Sequence, residues 1–235
     1  MKHLLLISTS TVFGTQHLEH AFDELAGLFG TAARVLFIPY ALKDWNGYTR
    51  KTRETFGKIG CELESIHELP DSLAAINKAQ AIFVGGGNTF RLLKTLYDAG
   101  LLQQIRARVL KGMAYAGASA GANLACPTIR ATNDMPIVEP PSLDALNLVA
   151  FQINPHYADP DPSSTHMGET RETRIHQFHE ENTMPVIGLR EGAMLRVEGD
   201  RVQLKGRAGA RIFRRGQAPV EVTPVSDLNA YLGNQ

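Results

Sequence analysis

Short apolar runs recur along the chain at Leu4–Ile7, Arg34–Ile38, Ala81–Val84, Met113–Ala116 and Val149–Ile153. Each is strand-sized and closed by a polar residue, a proline or a glycine, which predicts buried β-strands. Between several of them the apolar positions fall at helical spacing. The pattern predicts helices over Thr15–Leu28, Tyr48–Lys58, Thr89–Tyr97, Leu101–Leu110 and Glu169–Glu180, with Gly100 separating the third from the fourth. Strands alternating with helices imply an α/β fold built on a mostly parallel sheet flanked by helices. After Pro185 the pattern changes to short alternating segments, Val186–Leu189, Ala193–Val197, Arg201–Leu204 and Arg211–Arg214, punctuated by glycines. These predict a C-terminal antiparallel extension. No repeat or linker divides the chain, so residues 1–235 read as a single domain.

Composition narrows the function classes. Among 235 residues, 24 basic and 24 acidic side chains leave no formal net charge, which argues against nucleic acid and against an anionic membrane surface as partners. The opening apolar run is too short for a signal-peptide core, and no stretch approaches the roughly 18 residues of a spanning helix. The two cysteines, Cys61 and Cys126, form no metal or redox motif, which fits a protein of the reducing cytoplasm.

The most informative local signal is Gly117-Ala118-Ser119-Ala120-Gly121, which lies between a strand pattern and a helix-compatible stretch. A serine on a sharp strand-to-helix turn keeps its hydroxyl exposed, and small flanking residues let the backbone close. The amides that open the following helix lack internal partners and can face an anion. The alternative is a tight turn that merely packs helix on strand. Gly85-Gly86-Gly87-Asn88 also follows a strand and exposes backbone amides, suiting an oxyanion hole, a phosphate cradle or a plain turn. Phe90 breaks the dinucleotide fingerprint, and Ala118 stands where a P-loop needs lysine.

A nucleophilic serine needs a base and a group to orient it. Of eight histidines, His3 flanks the first strand. His17, His20, His67 and His166 fall on expected surface segments, and His176 and His179 lie on one charged helix that reads as a solvated face rather than a metal site. His156 follows a strand through Asn154-Pro155, at the carboxyl end where open α/β sheets place ligands. For the acid, Glu191 follows the strand Val186–Leu189, and Asp134 in the turn-like Asn133-Asp134-Met135-Pro136 is its rival. Asp159 and Asp161 read as loop residues.

These residues resemble the serine aspartyl dipeptidase (dipeptidase E) family. The resemblance is carried by Val84–Phe90, Ala118–Arg130, Thr132–Val138, Gln152–His156 and Gly168–Glu172, and it covers nearly the whole chain. It implies a fold similar to class I glutamine amidotransferases and a metal-free, cofactor-free peptidase that releases N-terminal aspartate from Asp-X peptides through an acyl-enzyme. It also implies a triad of Ser119, His156 and an acid, with Glu191 the first choice and Asp134 the reserve. The oxyanion would meet the amides of Gly87 and Ala120. Aspartate recognition needs a cation suited to a small carboxylate. Arg171 is the first choice, since no acid stands three or four positions away on the expected helix, with Asn88 and Arg130 behind it. Arg190, beside Glu191, and the Tyr157–Met167 loop depart from the family's pattern and bear on substrate detail. A cyanophycin-degrading serine peptidase is the runner-up, and a non-catalytic small-ligand sensor is the non-enzyme alternative. A monomer is the favoured state.

Overall fold

The computed structural model describes residues 1–30, 34–161, 163, 165 and 167–232. His166, expected on the surface, lies outside the described residues. In chain order the elements are β1 (His3–Ile7), α1 (Phe22–Phe29), β2 (Arg34–Ile38), α2 (Trp45–Lys58), β3 (Glu62–Ser65), α3 (Ser72–Lys78), β4 (Ala81–Val84), α4 (Thr89–Asp98), α5 (Leu102–Leu110), β5 (Ala114–Ala118) and α6 (Ala120–Leu124). They continue with β6 (Gln152–Pro155), α7 (Arg171–Glu181), β7 (Val186–Leu189), β8 (Ala193–Glu198), β9 (Arg201–Gly206), β10 (Ala210–Phe213), β11 (Val220–Val222) and α8 (Asn229–Leu232).

Leu4, Leu5, Leu6 and Ile7 of β1 and Ile82, Phe83 and Val84 of β4 are wholly buried, as strands covered on both faces require. Seven strands form the main sheet in the order β3-β2-β4-β5-β1-β8-β9. Its first five are parallel, whereas β8 and β9 add antiparallel to β1. Helix starts are fixed by side chains that accept otherwise unpaired amides: Asp44 for α2, Asp71 for α3, Asn88 for α4 and Thr170 for α7.

The C-terminal antiparallel strands are present and divide between two sheets: β8 and β9 extend the main sheet, while β7, β10 and β11 join β6 in a second, four-stranded sheet ordered β11-β10-β7-β6. Two expectations need correction. The strand expected at Val149–Ile153 runs instead over Gln152–Pro155, pairing parallel to β7 in that sheet. The ladder begins only where the Gln152 N–H meets the Pro185 carbonyl. Finally, the helix expected from Thr15 begins only at Phe22, after a short 3₁₀ turn. Leu18 takes a left-handed φ of 58° and donates its N–H to the Ser10 carbonyl, which no helix permits. One core cluster contains Leu4 and Leu6 of the main sheet together with Ile153, Ile187 and Ile212 of the second, so burial ties the sheets together.

Candidate active site

Ser119 stands between β5 and α6 with φ 52° and ψ −106°, a conformation that a non-glycine residue holds only when its surroundings over-determine it. They do. The Ser119 N–H donates to the Ile7 carbonyl at 2.9 Å, and the Ser119 carbonyl accepts from Ala122 and Asn123. A Cβ on Gly117 would collide with the Gly121 carbonyl, and one on Gly121 with the Val84 carbonyl. The two glycines therefore permit a contact between strand and helix that any larger residue would force open.

His156 follows β6, and Glu191 lies two residues beyond β7. Parallel pairing of these strands, with Pro155 opposite Leu189, delivers both side chains to the same end of the second sheet. Ser119 Oγ lies 2.9 Å from His156 Nε2, and His156 Nδ1 lies 2.8 Å from Glu191 Oε1. An ionised carboxylate only accepts, so Nδ1 carries the proton and Nε2 is left to accept from the serine hydroxyl. The three groups form an unbroken relay from nucleophile to acid.

The triglycine turn packs directly on the elbow. A Cβ on Gly86 would lie 3.2 Å from Ser119 Cβ. Gly86 N–H donates to the Tyr48 hydroxyl at 2.8 Å, in a buried setting that pushes this phenol well above its usual range and keeps it neutral. Gly87 has φ 137°, and a Cβ there would sit 2.6 Å from the Ala41 carbonyl. Among the described residues, neither the Gly87 nor the Ala120 N–H has an acceptor within the chain. The two bare amides belong to the residue after Ser119 and to the residue after Gly86, which packs on it.

Other expected site residues are placed differently. Asp134 does not contact His156: its Oδ2 accepts from Thr89 N–H at 2.7 Å and from Thr89 Oγ at 2.5 Å, fastening the start of α4. Asn88, expected to contact substrate, is committed on both sides. Its Oδ1 caps Arg91 N–H, and its Nδ2 donates to the Met135 carbonyl. Arg130 is exposed. Arg171 is the first residue of α7 rather than an interior one, and it lines a cavity of about 330 Å³ whose wall begins at Ala158, two residues past His156. Among the described residues its guanidinium has no ion-pair partner. Burial first, then the neighbouring Arg174, pulls it below the usual arginine range, while Asp134 opposes the shift. Arg190, flanking Glu191, points away from the relay. It engages both oxygens of Asp159 at 2.8 Å, reaches Glu221 and lies over the Tyr157 ring.

Three histidines contradict their expected exposure. His17 is buried, bonded to Thr55 Oγ1, and burial lowers its pKa to about 4, aided by Lys51. His20 is half-buried, and burial and Arg207 lower its pKa. His179 is buried with Nε2 at 3.0 Å from the Met184 carbonyl, so only His176 keeps an exposed place on that helix. Ser8, Tyr48 and Thr89, which hold the site together, carry no local sequence signal.

Residues 4–205 match the family described as Peptidase family S51. The chain is 54% identical to "Peptidase E" of Streptomyces coelicolor, over 98% of this chain and 95% of that one. It is 47% identical to the "Probable alpha-aspartyl dipeptidase" of Drosophila melanogaster, over 98% of each. In fold it is similar to the crystal structure of a peptidase from an acI-B1 Actinobacterium, with a TM-score of 0.69 at 17% identity, over 97% of this chain and 96% of that one.

Proposed function

The chain belongs to peptidase family S51, and on that premise we propose that Ser119, His156 and Glu191 carry out the hydrolysis of dipeptides with an N-terminal aspartate. The observation that carries this reading is the unbroken relay of 2.9 and 2.8 Å contacts beside two unpaired amides. His156 Nε2 takes the Ser119 proton as Oγ attacks the scissile carbonyl, then returns it to the leaving amine. Glu191 holds the Nδ1 proton and stabilises the imidazolium. The Gly87 and Ala120 amides receive the oxyanion, a donor of this kind being worth about 2.7–4 kcal/mol of transition-state stabilisation. Water then hydrolyses the acyl-enzyme, with His156 again the base.

Arg171 pairs with the aspartate carboxylate in this reading. Its guanidinium is half-buried and lines a cavity whose wall begins at Ala158 and also carries Asp159, Asp161 and Glu169, and a partly desolvated charge without an ion-pair partner among the described residues favours an anionic ligand. All of these side chains come from one chain, so the monomer is taken as the active unit. Two free, buried thiols, Cys61 and Cys126, suit a reducing compartment such as the cytoplasm. Separately, no helix among the described residues is long and apolar enough to cross a membrane.

The test is a panel of Asp-Leu, Glu-Leu, Ala-Leu and β-aspartyl peptides with the purified chain, together with Ser119→Ala and labelling by a fluorophosphonate. We expect Asp-Leu to be cleaved fastest, wild type to be labelled and Ser119→Ala to be folded, unlabelled and inactive. Preferred cleavage of β-aspartyl peptides would favour the cyanophycinase-like reading, and an unlabelled, inactive wild type would favour a ligand sensor.

A further inference from the structure

Ser8 takes no part in the acyl-transfer chemistry, yet it is wholly buried and lies where the two sheets meet. It directly follows β1. Its hydroxyl donates to the Leu189 carbonyl at 2.7 Å and accepts the His156 N–H at 2.9 Å. Leu189 ends β7 two residues before Glu191, and its carbonyl also receives the Tyr157 N–H at 3.1 Å. Ile7, the neighbour of Ser8, supplies the carbonyl that holds the Ser119 N–H. Two successive residues of β1's end therefore touch the supports of nucleophile, base and acid, which come from separate sheets.

His156 needs such support. Its φ is 53°, and a non-glycine backbone stays in the left-handed region only when its surroundings fix it. The Ser8 hydroxyl meets the histidine at that strained unit. We propose that Ser8 is a positioning residue for the peptidase reaction: by bridging the His156 amide to the Leu189 carbonyl, its hydroxyl holds Nε2 within reach of Ser119. This rests on the triad reading above. The Ser8 main chain is anchored separately, by its N–H to the Ala193 carbonyl at 3.1 Å, so Ser8→Ala removes the bridge and leaves its mount in place.

A displacement of about 1 Å in a catalytic group costs on the order of 100-fold in rate. For Ser8→Ala we expect kcat on Asp-Leu to fall roughly 10- to 100-fold with KM within about twofold, measured well below the melting temperature. A role in folding alone would lower the melting temperature but leave kcat of the folded protein intact. The second readout is a cycle with Glu191→Gln. A residue that acts by aligning His156 with its partners loses much of its effect once that alignment is already damaged, whereas an independent effect multiplies. Should Ser8→Ala fail to fold, Ser8→Cys, which fills the same place with a weak acceptor, gives the same two readouts. A folded variant with kcat within threefold of wild type, or a loss that multiplies fully with Glu191→Gln, overturns the proposal. An active Ser119→Ala would instead overturn the triad reading, so the two failures are distinguishable.

Discussion

Replacing each of two acids by its amide separates their roles. Glu191→Gln keeps the shape of a side chain that accepts the His156 Nδ1 proton at 2.8 Å. An amide in that place can present its NH₂ group, which favours the tautomer with the proton on Nε2 and leaves the serine hydroxyl without an acceptor. For a buried triad acid such a change costs about 10⁴ in kcat. The Glu191 side chain is 52% exposed, so water can accept from Nδ1 and recover part of the loss. We therefore expect a fall of about 10²- to 10³-fold, equivalent to about 3–4 kcal/mol. Asp134→Asn keeps an oxygen for the Thr89 N–H, and neither of its bonds reaches His156. Its kcat should stay within about tenfold of wild type, with a stability loss of about 1 kcal/mol from the weakened start of α4. The assay is leucine release from Asp-Leu under saturating substrate, alongside thermal denaturation of each variant. If Asp134→Asn loses more kcat than Glu191→Gln while both remain folded, the assignment of the acid fails.

Arg171→Met should lower kcat/KM for Asp-Leu about 10- to 150-fold, the equivalent of a charged hydrogen bond, and spare any slow cleavage of Ala-Leu; an equal loss on both would move the specificity role to Arg130. His176→Ala should retain near-normal kcat, because His176 is exposed and its partner within reach is Glu172, one turn away; a large loss would mean that this helix face takes part in the site. Folded His17 binds its proton only near pH 4, against about 6.5 when unfolded. The unfolded state therefore takes up more protons as pH falls from about 6.5 to 4, and stability drops through that window by about 3 kcal/mol. Urea denaturation at pH 7 and 4.5 should show this drop in wild type and a smaller one in His17→Gln; an equal drop in both would assign the acid sensitivity elsewhere.

What the sequence made legible was what local backbone chemistry dictates. The elbow was readable because Gly117 and Gly121 sit where a Cβ would meet backbone, so the requirement lies within five residues. Strands β1 and β4 were readable because their apolar runs, Leu4–Ile7 and Ala81–Val84, are buried on both faces. The edge strand β3 was not, since Glu62 and Glu64 alternate with the buried Leu63 and Ser65 in too short a segment. Asn88 reads as a substrate contact because nothing within the turn shows that its amide is taken at both ends, by the Arg91 N–H and by the Met135 carbonyl 47 positions away. The second sheet was beyond local reasoning. Its decisive event pairs Gln152–Pro155 with Val186–Leu189, and alternation within either strand says nothing about which neighbour it takes. His17 failed for a similar reason: its polar neighbours suggest surface, while Thr55, the partner of its buried ring nitrogen, stands 38 positions away.

Arg190 shows how a residue beside the site protects it. A guanidinium adjacent in sequence to Glu191 would, if free, compete with His156 for the carboxylate, and a charged pair would outweigh a neutral imidazole. Two acids prevent this. Asp159 takes the Arg190 guanidinium from one side and Glu221 from the other, and the Tyr157 ring lies beneath it. Asp159 also sits 3.9 Å from Arg211, which reaches Glu172 at 3.4 Å. The network that keeps Arg190 off the relay therefore extends to α7, next to Arg171. The same ion pairs that leave Glu191 available to His156 also hold the wall of the cavity that Arg171 lines, so on the proposed reading of Arg171 the relay and the carboxylate pocket share one support.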